Sequence, residues 1–89
     1  MKKNVCVLVA DGSEEMEVVI CVDVLRRAGI GVFLAGVGEE TRMVTTSRGV
    51  RIAPDGAWDP AEASRFDALV IPGGIGGTDI MRRDESVKQ

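Results

Sequence analysis

Asn4-Val5-Cys6-Val7-Leu8-Val9-Ala10-Asp11-Gly12-Ser13-Glu14-Glu15-Met16-Glu17 is the stretch that decides the fold. Residues 4–10 read as a buried strand, Asp11-Gly12-Ser13 as a tight turn, and residues 14–28 as a helix. At about 100° per residue, Glu17 falls within roughly 20° of Val24 and Ala28 and beside Cys21, on the apolar side. Glu15, Asp23, Arg26 and Arg27 gather on the opposite side, where solvent is expected. A buried carboxylate needs a partner or a proton, so Glu17 is a candidate acid or hydrogen-bond donor, in the first turn after a strand, where α/β proteins place their sites. The bland alternative is an N-terminal helix acid favoured by the macrodipole, as for Glu14 and Glu15.

Arg27-Ala28-Gly29 supplies a basic last turn and a C-terminal glycine, and residues 30–37 form a second strand, too continuously apolar for a half-exposed edge. Strand, helix and strand make a right-handed parallel βαβ unit. Residues 43–46 and 50–53 flank Ser47-Arg48-Gly49 as a short hairpin, an excursion from the main sheet with Gly49 at positive φ. Pro54-Asp55-Gly56 turns the chain, Asp59-Pro60 caps a short helical turn through residue 64, and residues 68–71 form a third parallel strand. That strand runs into Pro72-Gly73-Gly74-Ile75-Gly76-Gly77. A short helix is expected over 78–83, with Asp84 capping another. Three apolar strands served by one long helix look like the first half of a larger α/β domain.

The chain has 89 residues, 45% of them hydrophobic and only 3% aromatic, so one small core must be built mostly from aliphatic side chains. A net charge of −3 offers no basic footprint for nucleic acid. About seven apolar residues after Met1-Lys2-Lys3 are too few for a secretory signal or a membrane span, and the expectation is a soluble cytoplasmic protein without a membrane partner. There is no histidine, hence no commonest base or transition-metal ligand, and Cys6 and Cys21 show no metal-ligand spacing and read as buried thiols. No metal and no cofactor are expected.

Gly73 and Gly74 have two readings: backbone N–H groups presented to an anion or developing oxyanion, or a flexible turn. The cluster matches neither the P-loop nor the GxGxxG dinucleotide pattern. Arg26, Arg27 and Arg48 read as solvated charges, any of which can bind a substrate carboxylate or phosphate. Trp58 reads as local packing.

Taken together, residues 7–17, Val22-Asp23-Val24-Leu25-Arg26-Arg27-Ala28-Gly29 and Asp67-Ala68-Leu69-Val70-Ile71-Pro72-Gly73-Gly74 resemble the ThiJ/PfpI superfamily, and within it the parkinsonism-associated deglycase group. The resemblance covers essentially all of residues 1–89 and implies the amino-terminal half of a single flavodoxin-like domain, a parallel sheet with flanking helices. It places Glu17 at the position of a protonated glutamic acid that bonds a nucleophilic cysteine, and Gly73 and Gly74 beside that nucleophile, with the Gly74 N–H the oxyanion donor. Arg48 is the substrate-binding candidate. The elbow cysteine and a nearby histidine belong to the family's second half; neither Cys6 nor Cys21 fits an elbow, and Ala53 stands where some relatives carry a further cysteine. A complementary carboxy-terminal fragment is therefore an expected partner, without which neither catalysis nor good solubility is expected.

The activity implied is cysteine-dependent conversion of small aldehydes or ketoaldehydes, of glyoxalase or deglycase type, or oxidative-stress sensing. Alternatives are a redox-regulated chaperone, a protein carrying the thiamine-pathway (thiazole monophosphate biosynthesis) label, and a peptidase-like or amidotransferase-like hydrolase. The resembled group also implies a homodimer with Met16, Arg27 and Arg48 at or near the contact.

Overall fold

The computed structural model describes residues 3–38 and 43–74. Strand β1 (Asn4–Val9) is followed by helix α1 (Glu15–Arg27), strand β2 (Gly31–Gly36), a hairpin of β3 (Val44–Thr45) and β4 (Arg51–Ile52), strand β5 (Gly56–Ala57), a 3-10 segment Pro60–Arg65, and strand β6 (Ala68–Val70). The main sheet is parallel with order β5-β2-β1-β6, and β3-β4 forms its own antiparallel pair. β1 is the axis of the sheet. It pairs along its whole length with β2, from Asn4 opposite Gly31 to Val9 opposite Gly36, and on its other side Val5, Cys6 and Val7 stand opposite Ala68, Leu69 and Val70. The neighbours are those of a doubly wound sheet, in which crossover connections carry helices to the sheet faces.

Because successive side chains of a strand point to opposite faces, β1 seeds two clusters. Val5, Val7 and Val9 pack with Val18, Leu34 and Val44 under α1. Cys6, Leu8 and Ala10 pack with Ala35 and Val37 on the other face, against Phe33, Trp58 and Phe66. The Cys6 thiol is fully buried there, and desolvation pushes its pKa up to about 11. Cys21 is only half-buried, which corrects the expectation of two buried thiols.

Two further expectations are corrected. β5 reads in sequence as nothing more than a turn, yet Gly56 and Ala57 pair with Ala35 and Gly36 and add a fourth strand. Asp55 makes this edge: its N–H donates to Leu34 O at 2.8 Å, and its carboxylate accepts from Leu34 N at 2.8 Å and Arg26 Nη2 at 3.1 Å. The second correction concerns the helix. Val18, Val22 and Leu25 face the sheet, whereas Val24 and Ala28 are exposed and Glu17 stands with them in the open. α1 is apolar on two sides, with Met16, Ile20 and Val24 exposed along its outer face at a spacing of four. A helical wheel identifies both stripes but does not say which one the sheet takes.

The remaining local readings agree with the structure. Gly29 takes φ 83° past the helix end, while Glu14, read as the first helical residue, is the N-cap of α1, its Oε1 accepting from Met16 N at 2.8 Å. Gly49 has φ 87° in the hairpin turn, and Asp59 caps the 3-10 segment by accepting from Ala61 N at 3.0 Å. The expected helices at 78–83 and after Asp84 lie outside the described residues. No helix among the described residues is long and apolar enough to cross a membrane.

Two outcomes follow from this packing. In the native protein, iodoacetamide should modify Cys21 well before Cys6, with Cys6 reacting only on denaturation; early modification of Cys6, read by peptide mass, contradicts its burial. A Cβ at Gly56 would lie 2.8 Å from Phe33 Cζ, so Gly56→Ala should lower unfolding stability by about 1–3 kcal/mol in denaturant titration.

Candidate functional site

The loop between β1 and α1 turns sharply because Ser13 folds back on Ala10: Ser13 N donates to Ala10 O at 2.9 Å, and Ser13 Oγ accepts from Ala10 N at 3.0 Å in a fully buried setting. Gly12 takes φ 87° in the same turn. This carries the chain directly into α1 at the carboxyl end of the central strand, the place where open α/β sheets bind ligands. Two other segments converge on it, the loop after β6 and the β3-β4 hairpin.

In the glycine loop, Gly73 is held at both its N–H and its C=O. Gly73 N–H donates to Glu17 Oε1 at 2.6 Å, and Gly73 O accepts from Glu14 N at 2.9 Å. The approach is close at both glycines. A Cβ at Gly73 would stand 3.0 Å from Glu17 Oε1, and one at Gly74 would run into Gly12 O and lie 2.6 Å from Glu14 N. Gly74 has φ 109°, a conformation that side chains disfavour, so it calls for glycine on both steric and conformational grounds, whereas at Gly73 the Glu17 carboxylate would have to give way.

Glu17 and Gly73 are thus in direct contact, with Gly74 against the start of the same helix. The structure nonetheless corrects the expectation for each of the first two. Glu17 is exposed, not set into the core, and its fixed orientation comes from the Gly73 amide. Gly73 in turn has its N–H engaged by Glu17, so it does not present that donor to a ligand. Gly74 N–H donates to none of the described residues, nor does Glu17 Oε2 accept from any.

Arg48 is placed on the hairpin turn with its side chain exposed and in none of the ion pairs formed among the described residues. It reaches α1 through its backbone: Arg48 N donates to Glu15 Oε2 at 2.9 Å. Arg26 and Arg27 are exposed as expected and pair with Asp55 and Asp23.

Glu15 is the residue that sequence reasoning misplaced. It is 9% exposed, not on the solvent side, and besides the Arg48 amide it accepts from Ser47 Oγ at 2.7 Å and Thr46 Oγ1 at 3.0 Å. Its own backbone N–H, then the Ser47 hydroxyl, then Thr46 and the Arg48 amide stabilise the ionised form more than desolvation penalises it, holding the carboxyl at about 2 instead of 4.5. The partners lie more than thirty positions away along the chain. Helical periodicity carries no trace of them; the available signal was a run of hydroxyl residues, Thr45-Thr46-Ser47, in a hairpin otherwise flanked by apolar positions.

Chemically, the arrangement offers one oriented carboxyl group and one glycine amide at the mouth of the sheet. Among the described residues no group of three His, Cys, Asp or Glu side chains is arranged to hold a metal ion.

Comparison with known proteins adds to this geometry. Residues 3–89 match the DJ-1/PfpI family. Protein dj-1beta of Drosophila melanogaster is 48% identical over 82 residues, covering 91% of this chain and 43% of the fly protein. The glutathione-independent glyoxalase DJR-1.2 of Caenorhabditis elegans is 39% identical over 75 residues, covering 84% of this chain and 39% of the worm protein. The crystal structure of Drosophila melanogaster DJ-1beta superposes with a TM-score of 0.87 at 44% identity, covering 98% of this chain and 46% of that one. The chain spans less than half the length of these relatives, and its parallel sheet is part of their flavodoxin-like fold. On the match over residues 3–89 and the agreement in fold, the chain belongs to the DJ-1/PfpI family.

Proposed function

We propose that this chain is the amino-terminal part of a cysteine-dependent protein that converts small reactive carbonyls, a reaction of glyoxalase or deglycase type. The observation that carries the reading is the Glu17 carboxyl group fixed by the Gly73 amide at 2.6 Å, its other oxygen accepting from none of the described residues. A relative described as a glutathione-independent glyoxalase supports the same chemistry. The nucleophilic sulfur comes from a carboxy-terminal segment that packs beside β6, the outermost strand among the described residues, where Leu69 and Ile71 are exposed.

In this reading the thiolate adds to the aldehyde carbon of a ketoaldehyde such as methylglyoxal, giving a hemithioacetal whose oxygen accepts from the Gly74 N–H. Glu17, bonded to Gly73 through Oε1, uses Oε2 to hold the sulfur and to move a proton between the carbon and oxygen positions of the adduct. Water then releases the hydroxyacid and restores the thiol, so that methylglyoxal and water become lactate. No metal or nucleotide enters. The exposed stripe Met16, Ile20 and Val24 on α1 is the contact surface of a homodimer, with Arg27 and Arg48 at its margin.

Turnover of methylglyoxal by the intact protein, without glutathione, tests the proposal. Glu17→Gln should lower kcat by about a hundredfold or more while the β1-β2 amides keep their protection, and Gly74→Ala should do the same by displacing the loop. Unchanged turnover in Glu17→Gln removes Glu17 from the mechanism. If oxidant treatment of the wild type instead yields a sulfinate with new holdase activity, and no carbonyl is ever turned over, the protein is a sensor and not an enzyme. Separately, Ile20→Glu should raise the dimer Kd at least about tenfold in sedimentation, since it places a charge in the middle of an apolar contact; an unaltered dimer puts the contact elsewhere.

A further inference from the structure

The acid that this chemistry does not use is the one the fold buries. Both oxygens of Glu15 face a single turn: Ser47 Oγ donates to Oε1 at 2.7 Å, and Arg48 N and Thr46 Oγ1 donate to Oε2 at 2.9 Å and 3.0 Å. The Thr46 hydroxyl has one proton and a second acceptor, Val50 O, at 2.6 Å. Its bond to Glu15 is therefore shared, whereas the Arg48 amide and the Ser47 hydroxyl are the firm members of the set. The same turn is tied to the loop before α1, where Thr45 N donates to Asp11 Oδ1, Gly12 N to Thr45 O and Ser47 N to Ser13 O, each at 2.9 Å.

From the same helical turn, Glu14 N and Glu17 Oε1 hold the two polar groups of Gly73. Three residues at the start of α1 and its cap, Glu14, Glu15 and Glu17, thus hold both the hairpin turn and the glycine loop. We propose that Glu15 is a positioning residue whose carboxylate holds the Thr46-Ser47-Arg48 turn, and with it the Arg48 guanidinium, in a fixed relation to the Glu17–Gly73 pair. Its functional consequence rests on the carbonyl reading above, in which Arg48 is the substrate-binding candidate.

An ionised carboxylate suits this task because all of its partners are donors. What acts against it is desolvation; two further acids stand near the turn, Glu14, whose Oε2 lies 3.4 Å from Ser47 Oγ, and Asp11, whose Oδ1 accepts from the neighbouring Thr45 amide. Arg48 contributes the one positive charge of the turn. The donors prevail, since the carboxyl is held at about 2. A group whose folded pKa is depressed contributes its stabilisation in full above its ordinary value of 4.5 and loses it as pH falls through about 2. The turn should therefore stay docked throughout mildly acidic conditions.

The test is amide exchange and pH titration by NMR on the intact isotope-labelled protein, with kinetics alongside. Glu15→Ala removes every acceptor and should speed exchange at Arg48 N–H by about tenfold or more. The Gly31 amide, which donates to Lys3 O at 2.9 Å in the main sheet, should not change. Glu15→Gln keeps one carbonyl oxygen and should fall between Ala and wild type. In the wild type, the Arg48 amide shift should follow a carboxyl that titrates near about 2. For methylglyoxal, Glu15→Ala should raise KM about fivefold with kcat held within about twofold, and Glu15→Gln should recover part of the loss.

Equal Arg48 exchange in wild type and Glu15→Ala overturns the latch. If Gly31 also loses protection in Glu15→Ala, the wild-type titration decides, a midpoint near 4.5 overturning the proposal and one near 2 supporting it. A released turn with unmoved KM overturns the positioning role while the carbonyl chemistry stands. Absent turnover in the wild type sinks that chemistry, and the exchange and titration still decide whether Glu15 holds the turn.

Discussion

The start of an α-helix presents backbone N–H groups that the helix itself cannot satisfy, and this protein fills that place with three carboxylates, each sent to a different destination. Glu14 turns back on Met16 and caps the helix. Glu15 reaches the hairpin, and Glu17 reaches the glycine loop after β6. Because β1 delivers the chain to this point from the middle of the sheet, the first turn of α1 becomes the joint on which the hairpin and the glycine loop are both set.

The joint works because of what is absent as much as what is present. The loop can lie against residues 12–14 only while Gly74 carries no Cβ, and a Cβ at Gly73 would crowd the Glu17 carboxylate that its own N–H holds. Glu15 illustrates the opposing balance. Burial alone would raise its pKa, but several donors aimed at it outweigh desolvation and keep it ionised. Cys6 has no such donors among the described residues, so there desolvation wins and the thiol is held neutral.

Elements whose signals are local were legible in the sequence. The apolar run of β1, the Asp11-Gly12-Ser13 turn, Gly29 and Gly49 are fixed by neighbours in the chain, and the structure has each of them in place. Positions decided by distant partners were not legible. β5 is two residues long, one of them glycine, and exists only because β2 offers it an edge. The orientation of α1 was misread because its two apolar stripes are equally good on a wheel, and the sheet takes Val18, Val22 and Leu25. Glu17 could be singled out from its position after a strand, but its exposure and its contact with Gly73 depend on a loop 56 residues away.

The central claim is that Glu17 and the Gly73 amide form one hydrogen-bonded unit. Its most direct test is the scalar coupling across that bond, measured between Gly73 15N and the Glu17 side-chain carboxyl 13C in the intact labelled protein. The account predicts a resolved cross-peak linking the two nuclei, lost in Glu17→Ala. No coupling, together with a Gly73 amide that exchanges as freely as an unstructured one, would contradict it.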